Sequence, residues 1–178
     1  MKYFLLLIVL LVSNFIHAQA FSNSVMGAAG KFGDGYGGEM TFNTNLDEYS
    51  FTQIALDVSL SNYTSGEVTI PYSSYTVSYS YFTTLYATAR RYKVLSIGAG
   101  LLAGYELVNG GNEAFSNIVF LDGQSKLIYG GTIGAEIDVI ISNRLSIVAK
   151  TSQFYHMNSD FGQFTNFSGL GLRYYFFR

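Results

Sequence analysis

Hydrophobic and polar residues alternate along most of this chain with a period of two. From Leu95 the odd positions read Leu95, Ile97, Ala99, Leu101, Ala103, Tyr105 and Leu107, and the even ones Ser96, Gly98, Gly100, Leu102, Gly104 and Glu106. One face is apolar; the other is small or polar, Leu102 excepted. Residues 127–141 repeat the pattern: Leu127, Tyr129, Gly131, Ile133, Ala135, Ile137, Val139 and Ile141 alternate with Ile128, Gly130, Thr132, Gly134, Glu136, Asp138 and Ile140. A helix would repeat at 3.6 residues and lose about 1 kcal/mol at each glycine. The spacing therefore predicts strands. Further alternating segments lie at 54–60, 75–81, 145–150 and 170–176, with two weaker ones at 25–32 and 36–44, eight in all.

The connections alternate in length. Short ones are expected near Asn45–Glu48, Ala89–Tyr92 and Ser142–Asn143, and longer ones at Thr64–Ile70 and Asn109–Lys126; Gly33–Gly35 and Asn158–Gln163 are modest. Apolar stripes of about nine to 13 residues are long enough for a tilted strand to cross a bilayer. These features predict an all-β fold, an eight-stranded antiparallel up-and-down transmembrane β-barrel of the outer-membrane type. A soluble sandwich or small soluble barrel would show the same alternation with its apolar face buried, so the period alone does not choose between them.

Composition and the termini bear on that choice. Charged residues are 12% of the chain, about half the roughly 25% of an ordinary soluble domain. Aromatics reach 17%, with 15 Tyr and 15 Phe, 19 Gly, one Pro and no Cys. Such a chain is neither disordered nor a coiled coil, and it forms no disulfide or zinc–thiolate site. Residues 1–20, MKYFLLLIVLLVSNFIHAQA, join Lys2 to nine consecutive apolar residues, Phe4 to Val12, with small residues at Ala18 and Ala20. This is the pattern of a secretory signal peptide cleaved after Ala18 or Ala20, leaving one domain over 21–178. Nine residues fall short of the roughly 20 that a membrane helix needs. Without Lys2, nine basic residues face 12 acidic ones, a balance that gives no reason to bind nucleic acid.

The polar face carries Lys31, Glu39, Asp57, Glu106, Glu136, Asp138, Lys150 and Arg173. Inside a narrow barrel, five acids and three bases must form an ion-paired network, because an unpaired buried charge is costly. Tyr49, Phe51, Tyr86 and Tyr92 near the short turns, and Tyr63, Tyr72, Tyr105, Phe154 and Tyr155 near the longer loops, suit aromatic belts at two membrane interfaces. The end, GLGLRYYFFR, places Leu170, Leu172, Tyr174 and Phe176 in one apolar register, with Phe177–Arg178 overhanging. An aromatic-terminated last strand looks like the signal read by outer-membrane assembly machinery.

No phosphate-binding loop, zinc-protease, nucleophile-elbow or EF-hand motif is present, and no cofactor or metal site is expected. His156 is the sole histidine after processing; Ser159 and Asp160 follow it, but sequence adjacency is not triad geometry, and a rim or lumen role is expected. The longest loop carries Phe115, Ile118, Val119, Phe120 and Leu121, either a partner-binding patch or a plug over the barrel mouth. Arg90, Arg91 and Lys93 cluster at a short turn, where solvation or headgroup contact is expected.

Ile70-Pro71 with Tyr75, ARRYKVLSIGAGLLAGYELVN at 89–109, LDGQSKLIYGGTIGAE at 121–136 and the terminal GLGLRYYF together resemble the TraO family of conjugative-transposon transfer proteins. Order and spacing match from about residue 64 onward; residues 21–63 match in length and strand character. The resemblance implies an envelope component of a conjugation apparatus in a Gram-negative donor cell, with no catalytic residue to carry over; joined to the barrel reading, it leads to the expectation of an exported outer-membrane component with a structural or docking role. Its partners would be outer-membrane lipid and other conjugal transfer proteins, with no direct nucleic acid contact and no small-molecule substrate. The alternatives are a general surface barrel for adhesion or envelope stability, and a lipid-acting barrel enzyme.

Overall fold

The chain is described by a computed structural model over residues 23–65, 68–108, 114–116, 119–120, 125–159 and 163–176. The alternating segments become β1 (Ser24–Phe32), β2 (Gly35–Asn45), β3 (Ser50–Ser65), β4 (Val68–Ala87) and β5 (Lys93–Val108). The short β6 (Ala114–Ser116) and β7 (Val119–Phe120) lead to β8 (Lys126–Ile140), β9 (Leu145–His156) and β10 (Phe164–Tyr175). All pairings are antiparallel, and β1 closes on β10, giving an eight-stranded barrel in the order β1-β10-β9-β8-β5-β4-β3-β2. Closure gives each of the eight barrel strands a partner on both sides, which is what a β-structure in hydrocarbon requires. The expected signal peptide lies outside the described residues.

The turns at 46–49, 88–92 and 141–144 share one end of the barrel with the start of β1 and the end of β10. Side chains tie them. Asp47 accepts from the Tyr49 amide at 2.7 Å and from the Ser50 hydroxyl at 2.7 Å. Those bonds, the Ser50 hydroxyl first, hold its carboxyl below the ordinary aspartate range. In the 88–92 turn the Thr88 hydroxyl accepts from the Lys93 amide at 3.1 Å. Arg90 and Arg91 both adopt left-handed backbone (φ 65° and 53°), unusual for non-glycine residues.

At the other end β1 and β2 join through Gly33-Asp34, with Gly33 at φ 53°. The expected long loop at Thr64–Ile70 is corrected: β3 and β4 stay paired out to Ser65 opposite Val68. Backbone pairing carries this hairpin past the end of the apolar stripe. The 109–126 connection does remain long, and β6 and β7 pair within it, Ala114 opposite Phe120 and Ser116 opposite Val119.

Alternation sorts side chains onto two walls. The inner wall includes Glu39, Asp57, Lys150 and Arg173, many Ser and Thr, and a cluster of Phe32, Leu102, Phe154 and Phe167. Glycines on this wall make room for rings: a Cβ on Gly98 would stand 2.5 Å from Phe82, and one on Gly169 2.6 Å from Phe167. The outer wall carries Leu56, Val58, Leu101, Ile133, Leu170 and Leu172, all exposed.

Candidate functional site

Two ion-paired nodes cross the bore. In the first, nearer the short turns, Arg173 on β10 reaches across to β8. Its Nη1 donates to Asp138 Oδ2 at 2.8 Å, and Nη2 lies 2.8 and 2.9 Å from the two Glu136 oxygens. Tyr175 donates its hydroxyl to the same Asp138 oxygen at 2.6 Å. With its amide oxygen turned to the guanidinium, Asn43 accepts from Nε and Nη2 at 3.2 Å.

In the second node, Lys150 on β9 donates to both Glu39 oxygens at 2.8 and 2.7 Å and to Gln53 at 2.6 Å. The lysine and glutamate side chains are 3% and 1% exposed. Asp57 pairs in register with Glu39 and accepts from the Thr76 hydroxyl at 3.2 Å. Phe51 and Phe82 stack at 5.1 Å between the nodes, Arg173 facing the first ring at 5.9 Å and Lys150 the second at 5.7 Å. Both inward cations are thus paired, which is the condition for keeping them in a dry interior, while Asp57 is held by a hydroxyl rather than by a cation of its own.

Toward the loop end the aromatic pad follows, Phe32 lying 5.4 Å from Phe154 and 4.9 Å from Phe167 between ring centroids. Beyond it Ser159 donates its hydroxyl to Glu106 at 2.7 Å. His156 is buried in the same region, stacked 6.2 Å from Phe154. Among the described residues, side chains thus occupy the bore at each of these levels, as eight strands allow.

Seven of the eight expected lumen charges face inward: Glu39, Asp57, Glu106, Glu136, Asp138, Lys150 and Arg173. Lys31 does not; it is exposed on the outer wall. Phe32, locked in the aromatic pad, takes the inward position, and strand alternation turns its neighbour out. The aromatic-belt expectation is also corrected at Phe51 and Phe154, which are buried inside the barrel. Tyr49, Tyr86, Tyr92, Tyr105 and Tyr155 are exposed as expected.

Leu170, Leu172, Tyr174 and Phe176 all face outward, and Phe176 packs its ring 6.5 Å from Phe42 and 5.9 Å from Tyr174. Of the loop residues, Phe115 lies in β6 and Val119 and Phe120 in β7; Ile118 and Leu121 lie outside the described residues.

Sequence reasoning missed Asn43, Gln53, Thr76 and Tyr175, whose uncharged side chains complete the nodes. Asn43 and Gln53 directly oppose each other between β2 and β3, and the strand period carried that signal. It also missed a polar seam on the outer wall. The outward register of β9 runs from Ile147 and Ala149 to Thr151 and Gln153, and that of β10 from Leu172 and Leu170 to Ser168 and Asn166. Lys31 pairs in register with Ser168, and Ser168 with Thr151. A lysine on a lipid-facing strand costs about 2–4 kcal/mol at the bilayer centre and about 0–1 near the interface.

A closed antiparallel cylinder with an ion-paired, filled bore and an apolar outer wall has the fold of the small outer-membrane β-barrels. Solved structures agree. A major outer membrane protein of Thermus thermophilus matches at 14% identity with a TM-score of 0.66, covering 87% of this chain and 99% of that one. The N-terminal β-barrel domain of Pseudomonas aeruginosa OprF matches at 16% identity and TM-score 0.53, over 87% and 97% of the two chains. Ail, the attachment invasion locus protein of Yersinia pestis, matches at 13% identity and TM-score 0.54, also over 87% and 97%. No curated protein sequence matches the chain. Residues 13–176 match the family described as conjugative transposon protein TraO, and the chain belongs to that family.

Proposed function

We propose that this protein sits in the outer membrane as a structural or docking component of a conjugative transfer apparatus, without catalysis and without passing DNA. The filled bore carries this reading. Arg173, Lys150 and the Phe32–Phe154–Phe167 pad occupy successive levels of a cylinder that eight strands leave only wide enough for side chains. Family membership supports the process, and the outward apolar wall supports the membrane. Work at loops, rims or the outer wall then remains.

Deleting the gene from a donor should abolish or sharply reduce transfer of the element while growth is unchanged. The tagged protein should fractionate with the outer membrane, run faster on gels unheated than boiled, and recover other transfer proteins. Normal transfer with no such protein recovered would leave a general surface barrel. Loss of an envelope-lipid modification in His156→Ala would instead make it an enzyme.

A further inference from the structure

Charge outside the bore is segregated between the two ends of the barrel. The connections at the loop end, 33–34, 66–67, 109–125 and 157–163, contain Asp34, Glu67, Glu113, Asp122 and Asp160 in sequence and no Lys or Arg. The turn end carries Arg90, Arg91, Lys93 and Arg144 against Asp47 and Glu48, and Asp47 is occupied by the Tyr49 amide and the Ser50 hydroxyl. None of these four cations makes an ion pair among the described residues. Lys93 shares the outward register of β5 with Ile97 and pairs with Val139 of β8. Arg144 donates from Nη1 to the Tyr174 hydroxyl at 3.3 Å, on the wall that also carries Leu170 and Leu172. Arg91 lies 5.9 Å from the Tyr49 ring. Backbone bonds join these places: the Ile140 amide donates to the Tyr92 carbonyl at 2.9 Å, and the Tyr175 amide to the Arg144 carbonyl at 2.8 Å. The cations therefore form one arc from the β4–β5 turn across β8 to β10. Two of them, Arg90 and Arg91, occupy left-handed backbone, where glycine would cost less.

We infer that this arc binds the phosphate groups of anionic phospholipids in the leaflet that meets the short turns. The wall argues for lipid as the occupant. Lys93 and Arg144 stand on the outer face beside Ile97, Ile141 and Leu145, all exposed. With those side chains in hydrocarbon, the next layer an ammonium or guanidinium reaches is the headgroup layer. The exposed rings of Tyr86 and Tyr92 mark the same level. A guanidinium can bond two phosphate oxygens at once. A zwitterionic headgroup brings its own cation, which the arc repels; an anionic one brings none. The acidic connections at the far end carry the opposite preference, so the attraction belongs to one end alone. The inference rests on the membrane placement proposed above and is independent of the transfer role.

The test titrates the protein, purified from outer membranes into detergent micelles, with phosphatidylglycerol and with phosphatidylcholine of the same acyl chains, and counts bound lipids by native mass spectrometry. Phosphatidylglycerol should bind about tenfold or more tightly, since each cation near an anionic headgroup is worth about fivefold. Joint replacement Arg91→Gln, Lys93→Gln and Arg144→Gln should remove the preference, whereas Lys93→Arg with the arginines intact should keep it. Lys31→Gln, at the opposite end, should leave it unchanged. Unaltered heat-dependent gel migration shows that each variant still folds. Equal binding of the two lipids, a preference that survives the triple replacement, or an equal loss in Lys31→Gln would each overturn the inference. Displacement of phosphatidylglycerol by an equal concentration of inorganic phosphate would also overturn it, leaving a site for a bare anion. If the two lipids bind alike while the protein still fractionates with the outer membrane, the placement stands and only this arc falls; if fractionation fails as well, both fall.

Discussion

Two lysines stand a few strand positions apart on neighbouring parts of the barrel, and they live under opposite rules. Lys150 on β9 points into the bore, where Glu39 holds it with both carboxylate oxygens and Gln53 adds a third acceptor. Lys31 on β1 points away from the bore beside Ser168 and meets no carboxylate within the described chain. The first is compensated inside the fold and contributes to it. The second makes no ion pair with the described residues and stands exposed near the end of its strand. A cation on a barrel strand is read by the wall it stands on: inward it is held by carboxylates of the protein, outward near a strand end its ammonium can reach the interface.

That contrast breaks most sharply at the paired lysine. Lys150→Met leaves Glu39 and Asp57 buried together without a cation and should destabilise the barrel by about 3–5 kcal/mol. Denaturant unfolding in detergent micelles measures it, and adding Glu39→Gln should restore part of the loss. Next in size is a charge forced onto the apolar wall. Leu101→Arg, at a position 76% exposed, should cost about 2–4 kcal/mol in a bilayer, while Leu101→Phe costs little. Lys31→Leu sharpens the comparison from the other side. It should change folding stability by only about 0–1 kcal/mol. Equal stability losses for Lys31→Leu and Lys150→Met would erase the distinction.

The smallest effect concerns the turns. Asp47 is held below the ordinary aspartate pKa of 3.8 by the Ser50 hydroxyl and the Tyr49 amide. A depressed folded-state pKa adds stability above the unfolded value and loses it as pH falls through the folded one. Amide exchange at Tyr49 should therefore rise only in strong acid, below the pH at which an unbonded aspartate titrates, and Asp47→Ala should abolish that dependence.

Strand number, antiparallel order and most of the inner wall were legible because a period of two is a direct consequence of strand geometry. Ion pairs such as Arg173 with Glu136 and Asp138 follow once the wall is known, since charges confined to a dry bore have nowhere else to go. Lys31 was misplaced because β1 is weakly patterned: Ala28, Ala29 and Gly30 say little about direction, and only the packing of Phe32 against Phe154 and Phe167 fixes the register. The β3–β4 extension was hidden because pairing continues past the apolar stripe on backbone bonds alone. The outer seam was visible in the odd register of β9, Thr151 and Gln153, but uncharged residues there read as ordinary strand formers until the neighbouring strand brought Asn166 and Ser168 beside them.

Since the chain has no cysteine, single cysteines carrying a spin label can be scanned along β5 in a bilayer. The account predicts that labels at Ile97, Ala99, Leu101 and Ala103 meet dissolved oxygen freely and a water-soluble nickel reagent hardly at all, while labels at Ser96 and Leu102, which face the bore, meet neither. Ready collision of the odd-numbered labels with the nickel reagent would place that wall in water and contradict the membrane barrel.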